Sequence, residues 1–163
     1  MNETTPLFSK GLYDWLMFLI NFYLRIKSKL KIDFESFVIL QVIVSHTLHN
    51  FNKDKPRTFK ELDYKFEKFI RNEYEDVPNL NYSSISNILN VPRETVRRKC
   101  KVLEKKKLIN SNNKSGIIPG AEYQKIFNSF AGDTTLEISK LMRKFQQSGI
   151  LDKVLKFDKK DLK

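Results

Sequence analysis

The first hydrophobic segment of the chain is apolar on nearly every side. Residues 12–24 read LYDWLMFLINFYL, thirteen mostly apolar residues interrupted by Asp14 and Asn21. As a helix this run spans about 20 Å, which is shorter than the ~30 Å hydrocarbon core of a bilayer. It therefore predicts a helix from about Pro6 to Lys31 that buries more than one face, and no integral membrane association. In a chain this small, we expect the second face to meet a second subunit.

Three further helices are predicted from capping residues and apolar spacing. Asp33 can cap the segment 34–51, whose β-branched residues would also suit a strand, but its length and the capping residue favour a helix. Thr58 and Glu61 form a capping-box pattern that opens a third helix. The same pattern at Thr134 and Glu137 predicts a helix to about Ser148, with Gly149 at its end.

Residues 81–105 have the pattern of two short helices joined by a tight turn. Asn81 or Ser83 can cap the first helix, and Asn90 tolerates the positive φ that the turn requires. Pro92 suits the first position of the second helix, because its missing N–H would have no partner there. At about 100° per residue, three apolar residues of the second helix form one buried stripe: Val96, Cys100 and Leu103.

A β-hairpin is predicted directly after these helices. Leu108-Ile109 and Ile117-Ile118 flank the polar run NSNNKSG, and Pro119 closes the second strand. Two helices followed by such a hairpin are typical of a winged helix-turn-helix. Lys114 lies at the tip of this wing, where it is expected to meet backbone phosphate.

The charge of the chain is concentrated in the same region. The 163 residues carry a formal net charge of +11, and residues 91–114 contain nine basic and two acidic side chains. The alternative is an ordinary solvated face on a lysine-rich protein. Three of the seven arginines nevertheless lie between Arg93 and Arg98, and arginine is the residue that pairs bidentately with guanine. The pattern favours nucleic acid as the partner, with an anionic membrane surface second.

The composition also excludes several classes of protein. The single cysteine, Cys100, permits no intrachain disulfide and indicates a reducing, cytoplasmic location. His46 and His49 lie on one helix edge without a third clear ligand nearby, so we predict no metal site. The sequence has no nucleophile–base pattern, phosphate loop or recognisable carboxylate pair, and we predict neither enzyme activity nor a cofactor.

The two-helix segment resembles a known family. Ile85 to Leu89, the turn at Asn90, the run VPRETVRR at 91–98 and Leu103-Glu104 with Leu108-Ile109 resemble the DNA-binding domain of Crp/Fnr-type transcription regulators. The resemblance covers about forty residues, a quarter of the chain. It implies base-edge contact for Arg93, Glu94 and Arg98, and phosphate or helix-capping contact for Thr95.

The rest of the chain departs from that family. Residues 1–80 read as helices, without the Gly-punctuated strands of a cyclic-nucleotide-binding domain. Neither cyclic-nucleotide sensing nor an iron–sulfur cluster therefore carries over. Helices before and after a central winged helix are similar in layout to MarR-type dimeric regulators.

Together these patterns predict a mainly α protein with N- and C-terminal helices as a dimerisation layer and one small hairpin wing. We expect a dimerisation region at 1–57, a DNA-binding domain at 58–132, and a C-terminal helix and tail at 133–163. The predicted DNA-binding residues are Ser83, Ser84, Arg93, Glu94, Thr95, Arg97, Arg98, Lys101, Lys105 and Lys114. The predicted dimerisation residues are Leu12, Trp15, Leu16, Leu19, Phe22, Tyr23, Leu141 and Phe145.

The predicted function is that of a homodimeric regulator of transcription that binds specific sequences in double-stranded DNA. A two-fold dimer would read half-sites about one helical turn apart. The alternatives are a replication initiator or partition protein of a plasmid or phage, and a winged-helix module for protein or membrane-surface binding. The aromatic run near Trp15 could instead line a ligand pocket, anchor the chain at a membrane surface, or belong to the chain's own core. The residues identify no effector.

Overall fold

A computed structural model describes residues 5–71, 79–112 and 116–158 of the chain, which are mainly helical. A π-helical turn, Ile26–Leu30, continues the first helix. The elements in these ranges are α1 (Thr5–Arg25), α2 (Phe34–Phe51), α3 (Phe59–Ile70), α4 (Tyr82–Leu89), α5 (Arg93–Lys105), β1 (Ile109–Asn112), β2 (Gly116–Pro119), α6 (Ala121–Gln147) and α7 (Ile150–Lys156).

Two of the predicted caps are confirmed by hydrogen bonds. The carboxylate of Asp33 accepts the N–H of Ser36 at 2.8 Å, which begins α2. At the start of α3, the hydroxyl of Thr58 accepts the N–H of Glu61, and the carboxylate of Glu61 accepts the N–H of Thr58. Each cap pairs N–H groups that the helix itself leaves without a partner.

Helix α2 is the centre of the main core. It packs against α3, α4, α5 and β2, and Ile39, Leu40 and Ile43 are fully buried along it. The core continues through Phe66 of α3 and Phe127 of α6, whose ring centroids lie 5.1 Å apart. This arrangement makes α2 the support on which the α4–α5 unit and the hairpin rest.

The predicted hairpin is confirmed as a two-stranded antiparallel sheet. Ile109 of β1 lies opposite Pro119 of β2, and Asn110 lies opposite Ile118. Leu80, just before α4, adds an isolated bridge to Gly116, and the N–H of Ile117 donates to the carbonyl of Leu80 at 2.8 Å. The hairpin is thus attached to both ends of the α4–α5 unit.

The C-terminal helices differ from the prediction. Helix α6 begins at Ala121 and not at Thr134, and it continues without a break through the expected boundary at 132/133. The hydroxyl of Thr134 donates to the carbonyl of Phe130 one turn earlier, at 2.7 Å, so it makes a bond inside the helix and caps nothing. Helix α7 was not predicted. It follows Gly149, whose positive φ of 71° confirms the expected end of α6.

Helices α1, α6 and α7 form a second, smaller packing unit. Leu141 and Phe145 of α6 are buried with Ile150 of α7, and Phe18 of α1 packs against them. Leu141 and Phe145, two of the predicted dimerisation residues, are thus buried by contacts within the chain. Phe22 is also partly buried, since its ring contacts the rings of Phe37 and Phe130.

Among the described residues, no helix is both long enough and apolar enough to cross a bilayer.

Candidate nucleic-acid interface

The turn between α4 and α5 has a defined hydrogen-bonded geometry. Asn81 is the N-cap of α4, and its side chain accepts the N–H of Ser84 at 2.9 Å. Asn90 ends α4 in the left-handed conformation, with φ 51° and ψ 44°, as its position predicted. The hydroxyl of Ser86 donates to the carbonyl of Val91 at 2.7 Å, which fixes the chain on both sides of the turn. The angle between the two helices is therefore set locally.

The inner side of α5 is the predicted apolar stripe. Val96, Cys100 and Leu103 have no exposed surface, and they pack in the main core. The helix begins at Arg93 with Pro92 as its N-cap residue, one position later than expected. Pro92 still fits, because its extended ψ of 134° lies outside the helical range and its carbonyl accepts the N–H of Val96.

The outer side of α5 is basic and exposed. Arg98, Lys101 and Lys105 recur at helical spacing on one face. Arg93 is the first residue of the helix and is also exposed. Within the described ranges, none of these four side chains forms a salt bridge or a hydrogen bond. Their charges are thus available to an anionic partner.

Glu94 and Arg97 on the same helix bind each other. The guanidinium of Arg97 donates from Nε to one carboxylate oxygen of Glu94 at 2.8 Å and from Nη2 to the other at 2.6 Å. The hydrogen bond from Arg97 lowers the pKa of Glu94, and the carboxylate in turn raises the pKa of Arg97. Both groups stay charged at neutral pH. The positive charge of Arg97 therefore balances the negative charge of Glu94 on this surface.

Lys99 lies on the flank of α5 and holds the helix in place. Its ammonium contacts the carboxylates of Asp33 and Glu35 at the start of α2, each at 2.9 Å. Only 17% of its side chain is exposed. The two carboxylates raise the pKa of Lys99. Sequence reasoning counted Lys99 among the basic residues of the region but missed this role, because the contact joins residues 66 positions apart.

The remaining predicted DNA-binding residues differ in how far their side chains are exposed. Ser83 is exposed at the start of α4, while Ser84 is half-buried and its hydroxyl donates to Asn81. Thr95 is half-buried on α5, and no side-chain hydrogen bond caps the start of that helix. Lys114 lies outside the described residues.

Burial perturbs the pKa values of the single cysteine and of one histidine in the described residues. Burial raises the pKa of Cys100 to about 12, and nearby Glu104 contributes, so the thiol is protonated and inert at neutral pH. Burial, and then the charges of His49 and Lys53, lower the pKa of His46. Across the described part of the chain, no three His, Cys, Asp or Glu side chains lie close enough to hold a metal ion.

No protein-family profile matches this sequence, and comparison with characterised proteins and with solved structures finds no significant similarity.

Proposed function

We propose that this protein regulates transcription by binding specific sequences in double-stranded DNA as a homodimer, with α4, α5 and the hairpin as a winged helix-turn-helix. The observation that carries the proposal is the two-sided character of α5. One side is fully buried in the core, and the other presents Arg98, Lys101 and Lys105, for which the described ranges contain no salt bridge or hydrogen bond. Arg93 is exposed as the first residue of the helix. A helix held by its back with a basic outer face is suited to the major groove, which is wide enough to admit it.

The arginines of α5 are the proposed readers of base edges. Arg93 and Arg98 are exposed, and within the described part of the chain neither forms a salt bridge or a hydrogen bond, so their guanidinium groups can donate two parallel hydrogen bonds to O6 and N7 of guanine. Lys101 and Lys105 lie further along the exposed side, where a point charge without fixed geometry suits phosphate. Sequence preference would then come from the arginines and much of the affinity from the lysines.

Glu94 is compatible with this surface because of Arg97. A free carboxylate close to phosphate would be repelled, but the bidentate pair with Arg97 removes most of that cost. Each carboxylate oxygen keeps a second acceptor position, which can accept the amino group of cytosine. In this mechanism the carboxylate of Glu94 selects cytosine, and Arg97 orients that carboxylate and neutralises its charge.

The first experiment is selection of bound sequences from a random duplex pool with the full chain. We expect enrichment of a two-fold symmetric site whose half-sites contain guanine. A protein that enriches no sequence, and whose affinity for duplex DNA equals that for any polyanion, would contradict the proposal. Iterated repeats, in place of one symmetric site, would indicate a replication initiator.

Two variants test the assigned roles on the selected site. Arg98→Ala should weaken binding by about 1–3 kcal/mol and relax the preference at one base position. Lys101→Ala should weaken all sequences equally and reduce the salt slope by about 1. Arg143→Ala is the matched control, because Arg143 is exposed on α6 and, among the described residues, its side chain bonds to Ser139 alone. If Arg98→Ala behaves like this control, the role given to Arg98 is wrong.

A further inference from the structure

We infer that the outward face of α1 is the surface on which a second copy of this chain docks. The outward face consists of nine large hydrophobic residues whose exposed fractions range from 36% to 63%. They are Leu12, Tyr13, Trp15, Leu16, Met17, Leu19, Ile20, Tyr23 and Leu24. The inference rests on the proposed function only in taking the protein to act as a dimer.

The opposite side of α1 already has its partners within the chain. Phe18 packs in the small cluster with α6 and α7, and Phe22 contacts the main core. A Cβ added at Gly11 would lie 3.1 Å from the side chain of Ile150, which shows how closely α1 approaches α7. A helix that is apolar on all sides is stable in water only when all sides are covered. Among residues 5–71, 79–112 and 116–158, nothing covers the outward face.

The area of this face matches what a stable dimer requires. The exposed fractions of the nine residues, applied to ordinary side-chain areas, give on the order of 900 Å². A standard protein interface buries about 800 Å² on each partner. Isolated hydrophobic residues on a protein surface are normal, but a continuous patch of this size marks an interaction site.

The distribution of charge favours a second copy over a lipid surface. Asp14 is the one charged residue between positions 12 and 24, and it lies on the other side of α1, where it binds Lys144 at 2.7 Å. The nine residues of the face are uncharged, and the ammonium of Lys27 lies 5.7 Å from the ring of Tyr23 at the C-terminal end of the face. Most of the face therefore does not repel its own copy across a two-fold axis, whereas a protein of net charge +11 repels itself elsewhere. A helix lying on a membrane would instead carry lysines and arginines along its polar side. Here that side is covered by α6 and α7.

The test compares Leu16→Glu with Tyr64→Glu by sedimentation equilibrium from about 1 to 100 µM. Leu16 is 48% exposed in the middle of the face, and Tyr64 is 58% exposed on α3, so each change places a carboxylate on an exposed helix. Wild type and Tyr64→Glu should sediment at twice the monomer mass of 19.3 kDa. Leu16→Glu should have a dimer dissociation constant raised at least about 100-fold, because two carboxylates would then be buried at the interface.

Circular dichroism of Leu16→Glu should equal that of the wild type, since the substituted side chain is not in the core. A wild-type chain that stays monomeric at 100 µM, or a Leu16→Glu chain that stays dimeric, overturns the inference. Binding of a monomeric wild type to anionic lipid vesicles would assign the face to a membrane instead.

Duplex binding by the same samples separates this inference from the proposed function. A dimer that binds no DNA would refute only the proposed function. A monomer that binds one half-site would refute the dimer surface and the homodimeric part of the proposed function, and it would support sequence-specific DNA binding. If the proposed function and the dimer surface are both correct, monomeric Leu16→Glu should keep its base preference within a half-site. It should lose the additional affinity that comes from binding two linked half-sites at once.

Discussion

Replacement of Asp33 tests how the basic helix α5 is held against the core. Asp33 has two separable tasks: one carboxylate oxygen accepts the N–H of Ser36 at the start of α2, and the other binds the ammonium of Lys99 on α5. Asp33→Ala removes both contacts. Asp33→Asn keeps an oxygen for the N–H of Ser36 but removes the charge that attracts Lys99.

The structure gives an expected size for each loss. An N-cap oxygen contributes about 1 kcal/mol to the free energy of unfolding. The ion pair contributes about 0.5 kcal/mol, a low value because 59% of the Asp33 side chain is exposed to solvent, which screens the pair. At pH 7, Asp33→Ala should therefore lose about 1.5 kcal/mol, and Asp33→Asn about 0.5 kcal/mol.

The pH dependence of stability provides the second measurement. Burial raises the pKa of Asp33, but the hydrogen bond from Ser36 and the charge of Lys99 outweigh it, so the pKa lies below its usual value of 3.8. The stabilisation is therefore present above the unfolded-state pKa and disappears as the pH falls through the lower folded-state value. Urea unfolding should give a wild-type advantage over Asp33→Asn at pH 7 that fades as the pH falls below the usual value of 3.8 and through the lower folded-state pKa.

A double-mutant cycle with Lys99→Met isolates the contact between Asp33 and Lys99. The coupling between Asp33→Asn and Lys99→Met should equal the advantage lost by Asp33→Asn alone, within the error of about 0.3 kcal/mol for such cycles. An Asp33→Asn variant as unstable as Asp33→Ala, or a coupling of zero, would refute the assignment of Lys99 as the residue that holds α5.

Two further predictions concern the core and the hairpin. Cys100 should resist alkylation at pH 8 in the folded protein and react in urea, because burial holds its pKa at about 12; rapid labelling of the native chain would contradict this. Gly116→Ala should destabilise the chain by about 1–3 kcal/mol, since Gly116 has a φ of 68° and a Cβ would lie 2.3 Å from the carbonyl oxygen of Leu80. Gly132→Ala is the control: a Cβ would meet nothing within 4 Å inside α6, so it should stabilise by about 0.5–1 kcal/mol in thermal unfolding.

Features that depend on neighbouring residues were predictable from the sequence. The caps at Asp33 and Thr58 and the left-handed turn at Asn90 follow from contacts within four or five positions. The buried stripe of α5 follows from the helical spacing of its apolar residues. Asn90 is informative because few residues other than glycine tolerate its conformation. Such local rules located the α4–α5 unit and its basic face.

Features that depend on competition between local patterns were not predictable. Thr134 and Glu137 match a capping box, but Tyr123, Phe127 and Phe130 bury a helical stripe upstream, so the helix passes through Thr134. Burial of three aromatic rings outweighs the roughly 1 kcal/mol that a cap provides. The pairing of Glu94 with Arg97 was not predictable either, because Glu94 could equally pair with Arg98 four positions later.

The uninterrupted course of α6 makes it a rigid spacer between the two halves of the molecule. Only Gly120 separates α6 from β2, and the helix is about 40 Å long, with Phe127 in the main core and Phe145 in the cluster with α7. A flexible linker would let the hairpin and α1 vary their separation, whereas a helix fixes both distance and rotation. One inserted residue within α6 would turn its far end by about 100°. Helix α1 also joins the two units, through Phe18 in the small cluster and Phe22 against the main core. Their separation and relative orientation are therefore set by the matched lengths of two helices, and an insertion in either one would put the two packing units out of register.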